Sequence, residues 1–202
     1  MAFNIQTFAD NLATYGSMQT NKFEVRMRLP TFLLGTGGLS SSTLTFRADR
    51  VDMPGVLLDT VDTRRYGVGP IVKTPTNKSK FNEVTMSFVE TQQGEIYTAF
   101  RNWLQGIVDF SGAPGTGIPT FLTEYKSEYC VDIQIKVFNN LGLNKDFPGT
   151  EIRPVLELNL VDAFPLSLGD TNLSWSNNNE LFKTSVTFAY TYHQLLTGTN
   201  VS

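Results

Sequence analysis

Charge is scarce in this chain of 202 residues: 17% of them are Asp, Glu, Lys or Arg, against about a quarter in soluble domains. Sixteen basic residues stand against nineteen acidic, a net charge of −3. No run of Lys or Arg could neutralise a line of phosphates, which excludes tight nucleic-acid binding. Cysteine occurs once, at Cys130. A lone cysteine excludes an intramolecular disulfide framework, and without clustered His or Cys partners the usual structural zinc spacings go too. Histidine also occurs once, at His193. About eighteen consecutive apolar residues appear nowhere, and residues 1–5 lack the basic start and apolar core of a secretion signal. The expectation is a soluble chain made in the cytosol and not inserted in a membrane. The sequons at Asn77, Asn172 and Asn200 then reflect a composition rich in Asn, Ser and Thr.

What the chain does have is 41% hydrophobic and 12% aromatic residues, enough for one buried core, and its length predicts a single domain over 1–202. The dominant period is two, with outward positions filled by Thr, Ser and Asn, so the protein reads as mainly β. Residues 22–29 place Phe23, Val25, Met27 and Leu29 on one face and Glu24, Arg26 and Arg28 on the other, with Pro30 ending the strand. The same alternation predicts core strands at 81–90 (Val84, Met86, Phe88) and 128–138 (Tyr129, Val131, Ile133, Ile135, Val137). It recurs at 155–161 (Leu156, Leu158, Leu160) and, as the longest strand, at 181–193 (Phe182, Val186, Phe188, Tyr190, Tyr192).

One segment departs from that period. Across 95–110, Ile96, Phe100, Trp103, Leu104 and Ile107 recur every three or four residues, an amphipathic helix that lies across the sheets. Thr91 or Gly94 supplies its start, Glu95 suits its positive end, and Ser111-Gly112 stops it. A weaker stripe of Ile5, Phe8, Ala9 and Leu12 suggests a short helix at the beginning. Gly- and Ser-rich loops are expected at 31–42 and 111–120, and another loop at 141–150. Between them, 44–76 is irregular and strand-like, and no repeat of 20 to 50 residues indicates a solenoid.

Catalytic chemistry finds little support. His193 lies at a strand end, and no Gly-x-Ser-x-Gly elbow supplies a nucleophile. The glycines at 112–117 follow a helix and lack the Lys-Ser or Lys-Thr of a phosphate loop, and those at 35–38 lack dinucleotide spacing. Asp49 and Asp52, Asp59 and Asp62, and Glu124 and Glu128 neither pair as a glycosidase site nor form a calcium loop. No enzyme, cofactor or metal is expected. Few charges, many aromatics and long strands together describe a surface that self-assembly would cover.

Several segments in order carry a resemblance. Asn21-Lys22-Phe23-Glu24-Val25, the run Phe46 through Asp52 to Met53-Pro54-Gly55, and Asp62-Thr63-Arg64-Arg65-Tyr66-Gly67 with 71–74 lead into Phe81-Asn82-Glu83-Val84. The helix containing Tyr97, Phe100 and Trp103 follows. A Pro-turn at 161–170 with Phe164 and Pro165, then Leu173-Ser174-Trp175, and a closing strand over 183–192 complete the series. This order resembles the tail tube protein of contractile-tailed bacteriophages over nearly the whole chain, with 31–42 and 111–120 as elaborations.

The resemblance implies two packed antiparallel sheets, as a sandwich or barrel, with one main flanking helix. It implies hexameric rings stacked into a tube in the virion tail, assembled in the host cytoplasm, with sheath outside and tape-measure protein inside. A baseplate and a tail terminator close the ends, and double-stranded DNA passes without tight binding. By that analogy Asp59, Asp62, Arg64, Arg65 and Tyr66 are the expected interface residues, while Phe100, Trp103, Phe164, Pro165 and Trp175 are expected in core or turn packing. The rival readings are a tube-initiating baseplate component, the tube protein of a related injection system and, from another class, a carbohydrate-binding sandwich.

Overall fold

The alternating segments form strands because branched and aromatic residues at every second position can share one buried face. The computed structural model describes residues 20–33, 44–45, 47–64, 67, 69–110, 121–138, 154–171, 173–175 and 180–196. Their strands are β1 (Phe23–Met27), β2 (Ala48–Val51), β3 (Val56–Thr63), β4 (Val72–Phe81), β5 (Val84–Val89), β6 (Val131–Val137), β7 (Leu156–Leu168), β8 (Lys183–Ala189) and β9 (Tyr192–Leu196). The helices are α1 (Glu95–Ile107) and the single turn α2 (Lys126–Tyr129).

All pairings are antiparallel. One sheet runs β1-β6-β7-β9 and the other β7-β8-β5-β2, so the two share β7. Strands β3 and β4 pair only with each other, as a separate hairpin. Sharing is possible because β7 changes phase midway. Leu158 and Leu160 point inward before the change, and Ala163 and Pro165 after it. Asp162 sits between them at φ 55°, a left-handed conformation that Asp tolerates better than most residues. This bulge coincides with a register shift against β6, and it hands the strand from β6 and β9 over to β8. The site is tied down on several sides. Lys126 Nζ donates to Asp162 Oδ2 (3.0 Å) and to Thr191 Oγ1 (2.8 Å), the Asp162 amide donates to Asp132 Oδ1 (3.2 Å), and the Thr191 amide donates to the Val161 carbonyl (3.0 Å).

The core lies between the inward faces of both sheets and α1. Val25, Met27, Val84, Met86, Phe88, Ile133, Ile135, Leu158, Leu160, Val186 and Phe188 meet Ile96, Phe100, Trp103 and Ile107. The Phe100 and Trp103 rings stack with centroids 6.1 Å apart, Phe188 meets Phe100 edge-on, and the Trp103 indole N–H donates to the Tyr129 carbonyl at 2.9 Å.

Helix α1 begins where expected, but its main cap is Glu90. Gly94 takes the left-handed start at φ 71°, and Thr91 Oγ1 accepts from the Glu95 amide at 3.1 Å. The Glu90 carboxylate accepts from the amides of Thr91 (3.0 Å), Ile96 (2.8 Å) and Tyr97 (2.9 Å), and from the buried Thr184 hydroxyl (2.9 Å). Two otherwise orphaned helix donors are thereby satisfied by a negative charge at the positive helix end.

Several boundaries differ from the sequence reading. The helix ends at Ile107, because Val108 turns extended and bridges to Thr123. The strand expected over 81–90 is cut at Asn82-Glu83, leaving Phe81 in β4. Tyr129 belongs to α2 and presents its carbonyl to Trp103 instead of continuing β6. The single strand expected over 181–193 is two, since the chain crosses at Tyr190-Thr191 from β8, between β5 and β7 in one sheet, to β9 at the edge of the other. The expected Pro-turn at 161–170 is strand as far as Leu168. Pro165 is accommodated at a second bulge, between its pairing with Phe188 and that of Ser167 with Thr187. Of the loop expected over 31–42, Thr31–Leu33 form a single 3-10 turn with Leu33 buried; its remainder, the stripe at 5–12 and the loops at 111–120 and 141–150 lie outside the described residues.

Candidate assembly interface

The most exposed regular element is the β3–β4 arm. Its apolar side chains do not alternate toward any core: Val56, Leu57 and Leu58 follow one another, each 55–57% exposed, and Val61, Ile71 and Val72 are about half exposed as well. A two-stranded ribbon standing alone is marginal in water. This one is held by its ladder and by hydroxyls, Thr63 Oγ1 donating to the Val72 carbonyl (3.1 Å) and Thr76 Oγ1 to the Asp59 carbonyl (3.0 Å). Gly67 (φ 72°) and Gly69 (φ 106°) supply the left-handed backbone at the tip.

Three of the five expected interface residues are placed on this arm. Asp59 sits half-buried at the register shift, Asp62 is exposed opposite Lys73, and Arg64 is exposed at the tip, its carbonyl accepting from the Gly67 amide. Arg65 and Tyr66 lie outside the described residues. The arm's root rests on aromatic rings. Phe81 meets His193 edge-on with centroids 5.2 Å apart, and Tyr190 lies 6.2 Å from Phe81. His193 thus packs the base of the arm from an edge strand. Burial pushes the Tyr190 phenol above its ordinary value.

Among the residues expected to pack, Phe100 and Trp103 are core, Phe164 meets Tyr129 edge-on (5.4 Å), and Pro165 is buried in β7. Trp175 is a correction. At 102% relative exposure it has left the body altogether, because Leu173-Ser174-Trp175 belongs to the connection between β7 and β8 and to neither sheet. With Leu173 and Leu181 it forms a second exposed apolar stretch that periodicity does not reveal, since no core face sets its phase.

Among the described residues, β1 pairs only with β6, β2 only with β5 and β9 only with β7. Each therefore offers one unpaired backbone edge, a template for another chain's strand. The outward face of the second sheet carries two facing rows of hydroxyls, Thr85 and Ser87 on β5 and Ser185 and Thr187 on β8, flanked by Lys183 and Arg50, each paired with an aspartate (Asp49 at 2.7 Å and Asp52 at 3.0 Å). Among the described residues no group of three His, Cys, Asp or Glu side chains gathers to hold a metal, and no helix is long and apolar enough to cross a membrane.

Solved components of contractile injection systems share this fold. A chain of the anti-feeding prophage baseplate superposes with a TM-score of 0.59 at 11% identity, covering 90% of this chain and 97% of that one. A chain of the anti-feeding prophage tube-terminating cap gives 0.56 at 19% identity, covering 90% and 92%. A chain of the sheath-tube complex of an extracellular contractile injection system gives 0.55 at 17% identity, covering 98% and 100%. No curated protein matches the sequence. The fold is thus that of the tube, cap and baseplate subunits of contractile machines. The family model of the phage tail tube protein matches residues 18–196, and the chain belongs to that family.

Proposed function

We propose that six copies of this chain close into a ring and that rings stack into the hollow tube of a phage tail. The tube encloses the tape-measure protein, lies inside the sheath between baseplate and terminator, and later conducts double-stranded DNA. The observation that carries this reading is the β3–β4 arm, whose leucines and valines are exposed within one copy and would be covered by a neighbour in a ring or stack. The free edges of β1, β2 and β9 supply the strand pairing that would join neighbours into a continuous wall. The hydroxyl rows of Thr85, Ser87, Ser185 and Thr187 suit a channel lining, because a surface with few fixed cations makes few phosphate contacts and lets DNA move.

Electron microscopy of the purified chain tests the reading. Six-membered rings or long hollow tubes are expected, and a chain that stays single at high concentration and on any seed overturns it. Rings that never extend without added partners would identify a tube-initiating baseplate subunit instead. Arg64→Glu with Arg65→Glu should shorten the tubes while leaving thermal unfolding unchanged, and unaltered tube length refutes the interface at the arm tip.

A further inference from the structure

The one histidine of the chain lies under the root of the arm. Phe81 ends β4 opposite Val56, and its ring meets the His193 imidazole edge-on with centroids 5.2 Å apart. Tyr190 completes the cluster, 6.2 Å from Phe81 and 6.0 Å from His193. Among the described residues no ladder joins the arm to either sheet, and the side-chain hydrogen bonds of the arm stay within it. The packing of three rings, from β4, the end of β8 and β9, therefore sets how the arm stands on the body.

Two polar atoms are buried in this cluster without a protein partner among the described residues, His193 Nδ1 and the Tyr190 hydroxyl. With the imidazole neutral and its hydrogen on Nε2, Nδ1 is a bare lone pair. Proton uptake puts an N–H and a positive charge on that buried side. Around the ring stand Phe81 from β4, Tyr190 after β8 and, as register partner on β7, Leu160, none of them charged near neutrality. Lys80 and Glu83, the charged neighbours of Phe81 in sequence, are exposed, and His193 makes no ion pair among the described residues. Burying a charged donor without an acceptor costs more than the attraction of a cation for ring faces returns. The packed root therefore favours the neutral imidazole, and a root swung open, with Nδ1 in water, favours the charged one.

We propose that His193 is a proton-operated latch on the arm: the neutral imidazole holds Phe81 against the body, and the protonated one releases it. The closed root is fully stable while the imidazole is neutral and loses that stability as pH falls through the ordinary imidazole range, about 6.5. Carboxylates titrate well below that range and the other groups above it, so the single histidine stands alone there. The latch is internal to one copy, so it goes beyond the tube reading and does not need it.

Amide hydrogen exchange of the full chain, diluted until copies are single and corrected for the intrinsic effect of pH on exchange, tests the latch. Between about pH 7.5 and about pH 5.5, protection at 56–58 and 79–81 should fall by roughly tenfold, the effect of one proton one unit below the ordinary imidazole value, while protection of β5 and β8 stays. His193→Phe keeps a ring that cannot take a proton, so its arm should be protected equally at both pH values. His193→Gln loses ring and titration together, so its arm should be equally loose at both, and it serves as the second non-titrating chain if thermal unfolding shows that His193→Phe misfolds. Tyr190→Phe keeps its ring and should keep the response to pH. A wild-type arm equally protected at both pH values overturns the proposal, and so does a response that survives in a folded His193 variant. Loss of protection in β5 and β8 in step with the arm also overturns it, because acid then unfolds the whole body and no latch is needed. Failure of the tube reading shows separately, as a wild-type chain that never assembles when concentrated.

Discussion

The residue on which the two-sheet arrangement turns is Asp162. Its left-handed backbone shifts β7 by one position, and its carboxylate meets Lys126 of α2 and Thr191 of the β8–β9 connection. Asp162→Asn keeps a residue at ease in that conformation and loses an exposed ion pair worth little, so it should unfold within about 1 kcal/mol of wild type. Asp162→Val forces a branched side chain into the same φ and should lose about 2–3 kcal/mol in thermal unfolding; equal stability of the two variants would mean that the bulge is not held by this conformation. Alkaline stability is also set by single residues. Burial raises the Cys130 thiol and the Tyr190 phenol, and the hydrogen bond to Asp162 raises the Lys126 ammonium. All three protonated forms are favoured in the folded state, so their contributions are complete below the unfolded values and vanish as pH climbs through the folded ones. The unfolding temperature should hold through neutrality and begin to fall above about pH 8.5, the thiol first and the phenol and ammonium from about pH 10. Cys130→Ala should move the onset toward the upper limit, and an onset that stays put assigns the fall to another group.

Among the elements, α1 shows how a helix is fixed by a strand. Glu90 follows β5 and takes the Ile96 and Tyr97 amides together with the buried Thr184 hydroxyl of β8, so one side chain joins helix, strand and neighbouring strand. Glu90→Ala leaves these donors without acceptors and should cost about 2–4 kcal/mol of unfolding free energy, with Glu90→Gln losing about half as much; a loss under 1 kcal/mol for Glu90→Ala would show that water replaces the carboxylate freely. The helix itself was legible, because Ile96, Phe100, Trp103 and Ile107 face one core with one period. Its cap was not, since Glu90 reads as the polar end of an alternating strand until the chain folds back on it. Strands β1, β5 and β6 were legible for the same reason as the helix. Strand β7 was not, because Asp162 reverses the parity of its inward residues and Pro165 has the look of a turn. The break between β8 and β9 was hidden as well: Tyr190 and Tyr192 keep the alternation while the backbone crosses between sheets. The arm was legible only as irregularity, because periodicity reports a residue's own core and Val56, Leu57 and Leu58 face none.

At the scale of the whole molecule, the chain divides into a body that folds around its core and an arm that does not use that core. The arm's two ends are paired, Val56 opposite Phe81, so they lie one strand spacing apart, and a short flexible linker can bridge them at small entropic cost. Replacing 56–81 by such a linker removes the β3–β4 ladder and the contacts of Phe81 with Tyr190 and His193, and it leaves the two sheets and α1 intact. The shortened chain should therefore melt cooperatively, lower by no more than the loss of one partly buried aromatic implies, about 1–2 kcal/mol. It should also be more soluble, because the largest run of exposed valine and leucine is gone. Assembly should behave in the opposite way. With no arm to reach the next copy, sedimentation should show single chains at concentrations where wild type forms rings or tubes, and added wild-type seeds should not be extended. Tubes formed by the armless chain would place the stacking contact on the sheet edges alone. Failure of the armless chain to melt cooperatively would show that Phe81 and its neighbours belong to the core of the body.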